Sequence, residues 1–106
     1  MDILDKKNKY NSLYDLYGVL LTPKQQEYYT SYYFDDLSLS EIASIYNISR
    51  NAVFDQLNKI YELLDYYESK LNLRAKTEKI NDIISCYENS NNIEVKEIIN
   101  ELKDME

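Results

Sequence analysis

Residues 38–60 read SLSEIASIYNISRNAVFDQLNKI, and this stretch decides the fold. Ser38 and Glu41 form an S-x-x-E capping box, which predicts the start of a helix. Asn47 interrupts the apolar spacing after a short helix, and asparagine tolerates the left-handed backbone conformation that a tight turn needs. Ser49 can then cap a second helix. The stretch is therefore predicted to form a helix-turn-helix.

The apolar residues of the two helices support this interpretation. They recur at three- and four-residue steps, which places them on one face of each helix. Ala43 is small at the point where the helices of such a motif cross most closely. The predicted inner-face residues are Ile42, Ala43 and Ile45 in the first helix and Ala52, Val53, Leu57 and Ile60 in the second. Two unrelated amphipathic helices are the alternative, and caps, turn and spacing together favour the motif.

The composition favours a small all-α protein. The chain has 106 residues, 44% of them hydrophobic and 29% charged, which suits one core of modest size. One glycine and one proline leave little material for hairpin turns, so we expect helices rather than strands. The sequence contains neither a secretory signal nor an apolar run long enough to span a membrane, so we expect a cytoplasmic protein without membrane insertion. Cys86 has no partner for an internal disulfide and is predicted to be buried.

Two helices are predicted before the motif. Tyrosine and leucine residues recur at helical spacing over residues 5–21, which predicts one inner face. Its residues are Tyr10, Leu13, Tyr14, Tyr17, Leu20 and Leu21. Thr22, Pro23 and Gln25 supply an N-cap, a first-turn proline and a capping-box partner for a second helix, which extends to about Phe34. Five aromatic residues lie in this helix and cannot all face the core, so some are expected to be partly exposed.

The second helix of the motif is predicted to be long. Apolar residues alternate four- and three-residue steps from Val53 to Leu71, the a/d repeat of a coiled coil, and the helical pattern continues to about Leu73. This face can pack on its own domain, or its distal part can form a seam with a second copy. The seam residues are Leu64, Tyr67 and Leu71. The charged flank, which includes Asp65 and Glu68, is predicted to be solvated.

A helical hairpin is predicted over residues 74–106, appended to the helix-turn-helix core of residues 1–73 in a single domain. Thr77 can cap its first helix, which ends before a polar turn over residues 88–92. Apolar residues again recur on one face of each helix. They are Ile80, Ile83, Ile84 and Tyr87 in the first and Val95, Ile98, Ile99 and Leu102 in the second.

Several segments together resemble the YlxM family of small bacterial proteins. These are Leu21–Gln25, Tyr33-Phe34, Ser38-Leu39 with Glu41–Ala43, Ile48–Arg50 with Ala52–Asp55, Leu63-Leu64, Tyr67-Glu68 and Lys70-Leu71. The likeness covers about residues 10–73, and its motif is similar to region 4 of sigma-70-type factors. The resemblance implies an all-helical fold, a DNA-binding regulatory role and a connection to the signal recognition particle pathway.

If the motif binds DNA, its second helix enters the major groove. The candidate DNA-binding residues are Ser49, Arg50, Asn51, Phe54, Asn58 and Lys59. An arginine suits guanine or phosphate, and an asparagine suits adenine. Asp55 on the same surface repels phosphate, and the net charge is −7, so we expect weak and salt-sensitive binding of double-stranded DNA.

The acidity also suits a different class of function. An acidic module of this shape can bind a basic protein or ribonucleoprotein partner without appreciable DNA affinity. An enzyme is not expected, because the sequence has no histidine, no glycine-rich phosphate loop and no spaced set of metal ligands. No cofactor and no metal are predicted, and a homodimer remains open.

Overall fold

The computed structural model describes residues 3–106, and this range contains six α-helices. They are α1 (Ile3–Tyr17), α2 (Pro23–Tyr33), α3 (Leu39–Tyr46), α4 (Arg50–Leu71), α5 (Leu73–Tyr87) and α6 (Ile93–Asp104). Within this range the chain forms no strand, which confirms the prediction of an all-α helix-turn-helix fold. The helices divide into two compact units, the first ending at Leu71 and the second covering Asn72–Glu106.

The helix starts that the capping boxes predict are observed. Thr22 Oγ1 accepts the backbone N–H of Gln25 at 3.2 Å, and Gln25 Oε1 accepts the backbone N–H of Thr22 at 2.9 Å. Ser38 and Glu41 exchange the equivalent pair of bonds, both at 3.1 Å. Because both partners of each box are local in sequence, α2 and α3 begin where the residues indicate.

The first helix ends earlier than predicted. α1 stops at Tyr17 and is followed by a 3₁₀ turn over Gly18–Leu20, which leaves Leu20 51% exposed rather than on the inner face. Glycine is a poor helix former. A Cβ atom on Gly18 would lie only 3.0 Å from the Tyr14 ring, so a side chain at this position would require that ring to shift.

The core of the first unit surrounds α4, which packs against α1, α2 and α3. Tyrosine supplies much of it because its ring can be buried while its hydroxyl remains bonded at the edge. The buried residues are Tyr10, Leu13, Tyr17, Leu21, Tyr28, Tyr29, Ile42, Ala43, Val53, Leu57, Ile60 and Leu64. The aromatic run of α2 divides as expected: Tyr28 and Tyr29 are buried, whereas Tyr32 and Phe34 are exposed.

Tyrosine hydroxyls tie α1 to the distal half of α4. Tyr10 donates to Asp65 at 2.8 Å and Tyr17 donates to Glu68 at 2.6 Å. Lys9 forms an ion pair with the same Asp65 at 3.2 Å. The prediction that Asp65 and Glu68 are merely solvated is therefore wrong, because both carboxylates satisfy hydroxyl donors of α1.

The second unit is a helical hairpin whose first helix starts earlier than predicted. α5 begins at Leu73 after Asn72, which takes the left-handed conformation with φ of 55°, so Thr77 lies inside the helix and does not cap it. The α6 start is formed by Asn92, whose side chain accepts the Val95 N–H at 3.1 Å. Cys86 is exposed, and the prediction that it is buried is wrong.

Candidate nucleic-acid interface

The turn of the motif is built from backbone and side-chain bonds within residues 43–52. Asn47 has φ 55° and ψ 48°, the left-handed conformation that ends α3. The backbone N–H of Ile48 then returns to the carbonyl oxygen of Ala43 at 3.0 Å. Ser49 Oγ accepts the Ala52 N–H at 3.0 Å and thus caps α4. The turn therefore has the residues and conformation that the sequence predicts.

Apolar packing holds the two helices of the motif together. Ile42 and Ala43 of α3 and Val53 and Leu57 of α4 are all buried, and α3 packs against α4. Ile45 differs from the prediction, since it is 61% exposed and faces away from this core. The packing orients the first turns of α4 as one rigid surface.

The candidate DNA-binding residues lie at the start of α4 and along its exposed side. Arg50, Asn51 and Lys59 are exposed and Asn58 is half-buried, and Phe54 is 52% exposed. Ser49 precedes them at the helix start, where its oxygen already serves as the cap. The six residues thus border one exposed face, which we call the α4 face.

Charge on the α4 face is nearly balanced. Arg50 and Lys59 form no ion pair with any described residue, so both cations are available to an external anion. Asp55 is exposed and follows Asn51 by four residues while preceding Asn58 by three, which places it at the centre of the face. The face therefore carries one carboxylate between two cations.

Lys24 is a neighbour of the motif that the sequence alone does not indicate. Its ammonium lies 4.4 Å from the centre of the Tyr46 ring, and Tyr46 is the last residue of α3, next to the turn. Its charge is shared with Glu27, whose carboxylate lies 3.9 Å away. The contact depends on how α2 packs against α3, so nothing in the local sequence indicates it.

The predicted self-association seam divides by burial. Leu64 is fully buried in the core of the first unit, whereas Leu71 is 45% exposed. Tyr67 is half-buried against that core. Self-association through these residues remains a prediction, and of the three Leu71 offers the most exposed surface.

Among residues 3–106, no three carboxylate or thiol side chains are grouped closely enough to hold a metal ion. None of the described helices combines the length and the apolar character that crossing a membrane requires.

Comparison with known proteins places this fold in a family. Residues 4–105 match the UPF0122 family, described as "Putative helix-turn-helix protein, YlxM / p13 like". A UPF0122 protein of Geobacillus kaustophilus is 48% identical over 82 residues, which are 77% of this chain and 74% of the relative. Its counterpart in Pediococcus pentosaceus is 42% identical over 106 residues, with 97% of this chain and 94% of the relative covered.

A relative from Mycoplasma capricolum extends the same likeness. It is 40% identical over 104 residues, covering 98% of this chain and 91% of the relative. Both long alignments include the α5–α6 hairpin as well as the helix-turn-helix. Since the family match covers nearly the whole sequence, the chain belongs to the UPF0122 family of YlxM- and p13-like helix-turn-helix proteins.

Proposed function

We propose that this protein is a DNA-binding regulator in which the α4 face enters the major groove of double-stranded DNA. The observation that carries the proposal is the exposed start of α4, which a capped turn and a buried α3–α4 contact hold in place. A rigid helix with an exposed N-terminal face has the shape that a helix-turn-helix uses to reach base edges.

The residues of the α4 face divide into different roles. Arg50 is exposed and unpaired among the described residues, and it suits guanine or a phosphate, whereas Asn51 suits adenine. Phe54, which is 52% exposed, can contact a thymine methyl group. Ser49 acts mainly as the cap, and Lys59 lies about two and a half turns after Arg50, where it suits a backbone phosphate.

Electrostatics limit the affinity that this surface can reach. The chain carries a net charge of −7, and Asp55 stands at the centre of the α4 face. Few phosphates can be neutralised, so binding to nonspecific DNA should be weak and should fall steeply as salt rises. Lys24, beside Tyr46, adds one cation close to the turn.

The same charge supports a second candidate, an acidic interaction module. A protein can keep the helix-turn-helix fold after it has lost its affinity for DNA. An acidic surface then favours encounter with a basic protein or ribonucleoprotein. The resemblance to the YlxM family, with its implied connection to the signal recognition particle pathway, supports a partner of this kind.

Titration of a labelled random-sequence duplex, followed by fluorescence anisotropy at low salt, tests the proposal. We expect micromolar binding by the wild type and binding about tenfold weaker by Arg50→Ala, since loss of a phosphate contact weakens binding to all sequences alike. Arg74→Ala is the matched control, because it removes the same charge from α5 in the second unit. Equal affinities for the two variants, or no binding by the wild type, would point to the interaction module.

A further inference from the structure

Helix α3 contains no cation of its own. In a helix-turn-helix the first helix crosses the phosphate backbone, while the start of the second helix reaches base edges. Here α3 is the first helix, and Glu41 is its one charged residue. Contacts between cations and phosphates supply essentially all of the nonspecific affinity for DNA. A cation that serves the backbone beside α3 must therefore come from another element.

Lys24 of α2 places a cation at the end of α3. Its ammonium lies 4.4 Å from the centre of the Tyr46 ring and 5.8 Å from the centre of the Tyr28 ring. The two rings meet edge to face with their centres 5.0 Å apart, and Tyr28 is buried. A core residue thus supports the ring on which the ammonium rests. Because the face of a tyrosine ring attracts a cation, the Lys24 charge is held beside α3.

The ion pair that Lys24 forms within α2 is a weak one. The carboxylate of Glu27 is 3.9 Å from the ammonium, and both side chains are more than half exposed. Exposed ion pairs of this kind contribute little, because water and salt screen them. A phosphate can therefore compete with Glu27 for the ammonium while Lys24 stays on the Tyr46 ring.

Tyr46 places this cation next to the α4 face. It ends α3 and stands four residues before Arg50, so their Cα atoms are at most about 14 Å apart. The backbone bond from Ile48 to Ala43, at 3.0 Å, folds the turn between them more tightly. The major groove is about 12 Å wide. Phosphates that border the groove therefore come within reach of Lys24 when the start of α4 occupies it.

We infer that Lys24 contacts a DNA phosphate and that Tyr46 positions its ammonium for that contact. The inference rests on the proposed function, because it takes α4 to lie in the major groove. It extends the DNA-binding surface from the α4 face to the start of α2, and it gives the backbone the cation that α3 lacks. A contact of this kind fixes the protein on the duplex without reading its sequence.

The salt dependence of duplex binding tests the contact. Fluorescence anisotropy over about 50–200 mM salt gives the slope of log K against log [salt], which changes by about 0.9 for each phosphate contact. Lys24→Gln should reduce the steepness of this slope by about 0.9 and weaken binding to all sequences alike. Lys24→Arg keeps the charge and should keep the slope.

Lys70→Gln is the matched control. The ammonium of Lys70 also lies over a tyrosine ring, 5.7 Å from the centre of Tyr66. Lys70 follows Arg50 by 20 residues in α4, which is about 30 Å along the helix axis. Its replacement removes the same charge far from the turn, so the slope and the affinity should stay close to those of the wild type.

A double-mutant cycle tests the positioning role of Tyr46. Tyr46→Leu should weaken binding about threefold in the wild-type background, because the ring that holds the cation is lost. The same substitution should have almost no effect in the Lys24→Gln background, where no cation remains to be positioned. Tyr46→Phe keeps the ring and should bind as the wild type does. Equal losses in both backgrounds overturn the positioning role, since a ring that only supports the fold acts without Lys24.

The outcomes separate this inference from the proposed function. An unchanged slope in Lys24→Gln, with Arg50→Ala still weaker than the wild type, overturns the phosphate contact and leaves DNA binding by α4 in place. A wild type that binds no duplex overturns both. Far-UV circular dichroism should show equal helicity in all variants, because Lys24 and Lys70 are exposed and Tyr46 is half-buried.

Discussion

Replacement of Leu64 by alanine should destabilise the first unit severely. Leu64 is fully buried on α4 and belongs to the core that α1 and α4 share. The substitution removes three buried carbon atoms and leaves a cavity, which costs about 2–5 kcal/mol in a well-packed core. A loss of about 3 kcal/mol corresponds to a decrease in Tm of roughly 12–24 °C for a domain of this size.

Near-UV circular dichroism is a suitable assay, because eleven of the twelve tyrosines lie in the first unit. Urea unfolding followed at tyrosine wavelengths should therefore report this unit, with Leu71→Ala as the matched control. Leu71 is 45% exposed, so its truncation should change the free energy of unfolding by less than about 1 kcal/mol. A cost below 1 kcal/mol for Leu64→Ala as well would refute its place in the core.

Three further predictions concern the turn, the first unit at high pH and the α3 cap. Asn47→Gly should leave the unfolding free energy nearly unchanged, whereas Asn47→Val should lower it by about 1–2 kcal/mol, because φ is 55° there; thermal unfolding distinguishes the two. Burial and the Asp65 carboxylate raise the pKa of Tyr10 to about 12 from 10. The Tyr10 hydroxyl therefore holds its proton more tightly in the folded protein than in the unfolded chain. The contribution of Tyr10 to the free energy of unfolding is complete below pH 10 and declines as pH rises through 12. Tyr10→Phe should make that decline shallower in urea titrations from pH 9 to 12. Ser38→Ala should cost about 1 kcal/mol through loss of the cap, while Ser40→Ala, exposed on the same helix, should cost little.

Features that depend on neighbours in sequence could be predicted well. The capping boxes at Thr22 and Ser38 and the left-handed Asn47 are local bonds or local backbone states, and all three are observed. The length of α4 was also readable, because its apolar period continues to Leu71 without an interruption. The helix-turn-helix follows from these local signals together.

Features that depend on tertiary contacts could not be predicted. Ile45 has the spacing of a core residue, but the crossing of α3 over α4 leaves it 61% exposed. Cys86 lies on an apolar-looking side of α5, yet the hairpin buries Ile84 instead. Lys24 approaches Tyr46 through packing of α2 on α3, for which the sequence carries no periodic or capping signal.

The candidate DNA-binding residues were predictable as exposed positions, but what they bind was not. Exposure of Asn51 and Lys59 follows from the period of α4, and the structure agrees. What the α4 face binds depends on the balance between two cations and Asp55, and on the net charge of −7. Neither periodicity nor packing decides that balance.

The most direct test of the central claim is the DNA affinity of Asp55→Asn. Removal of the carboxylate at the centre of the α4 face should strengthen duplex binding by about 1 kcal/mol, or about fivefold, at low salt. Asp104→Asn, which removes the same charge from the exposed end of α6, should change the affinity far less. A fivefold gain confined to Asp55→Asn is the predicted result, and equal affinities for wild type and both variants would contradict a DNA-facing α4.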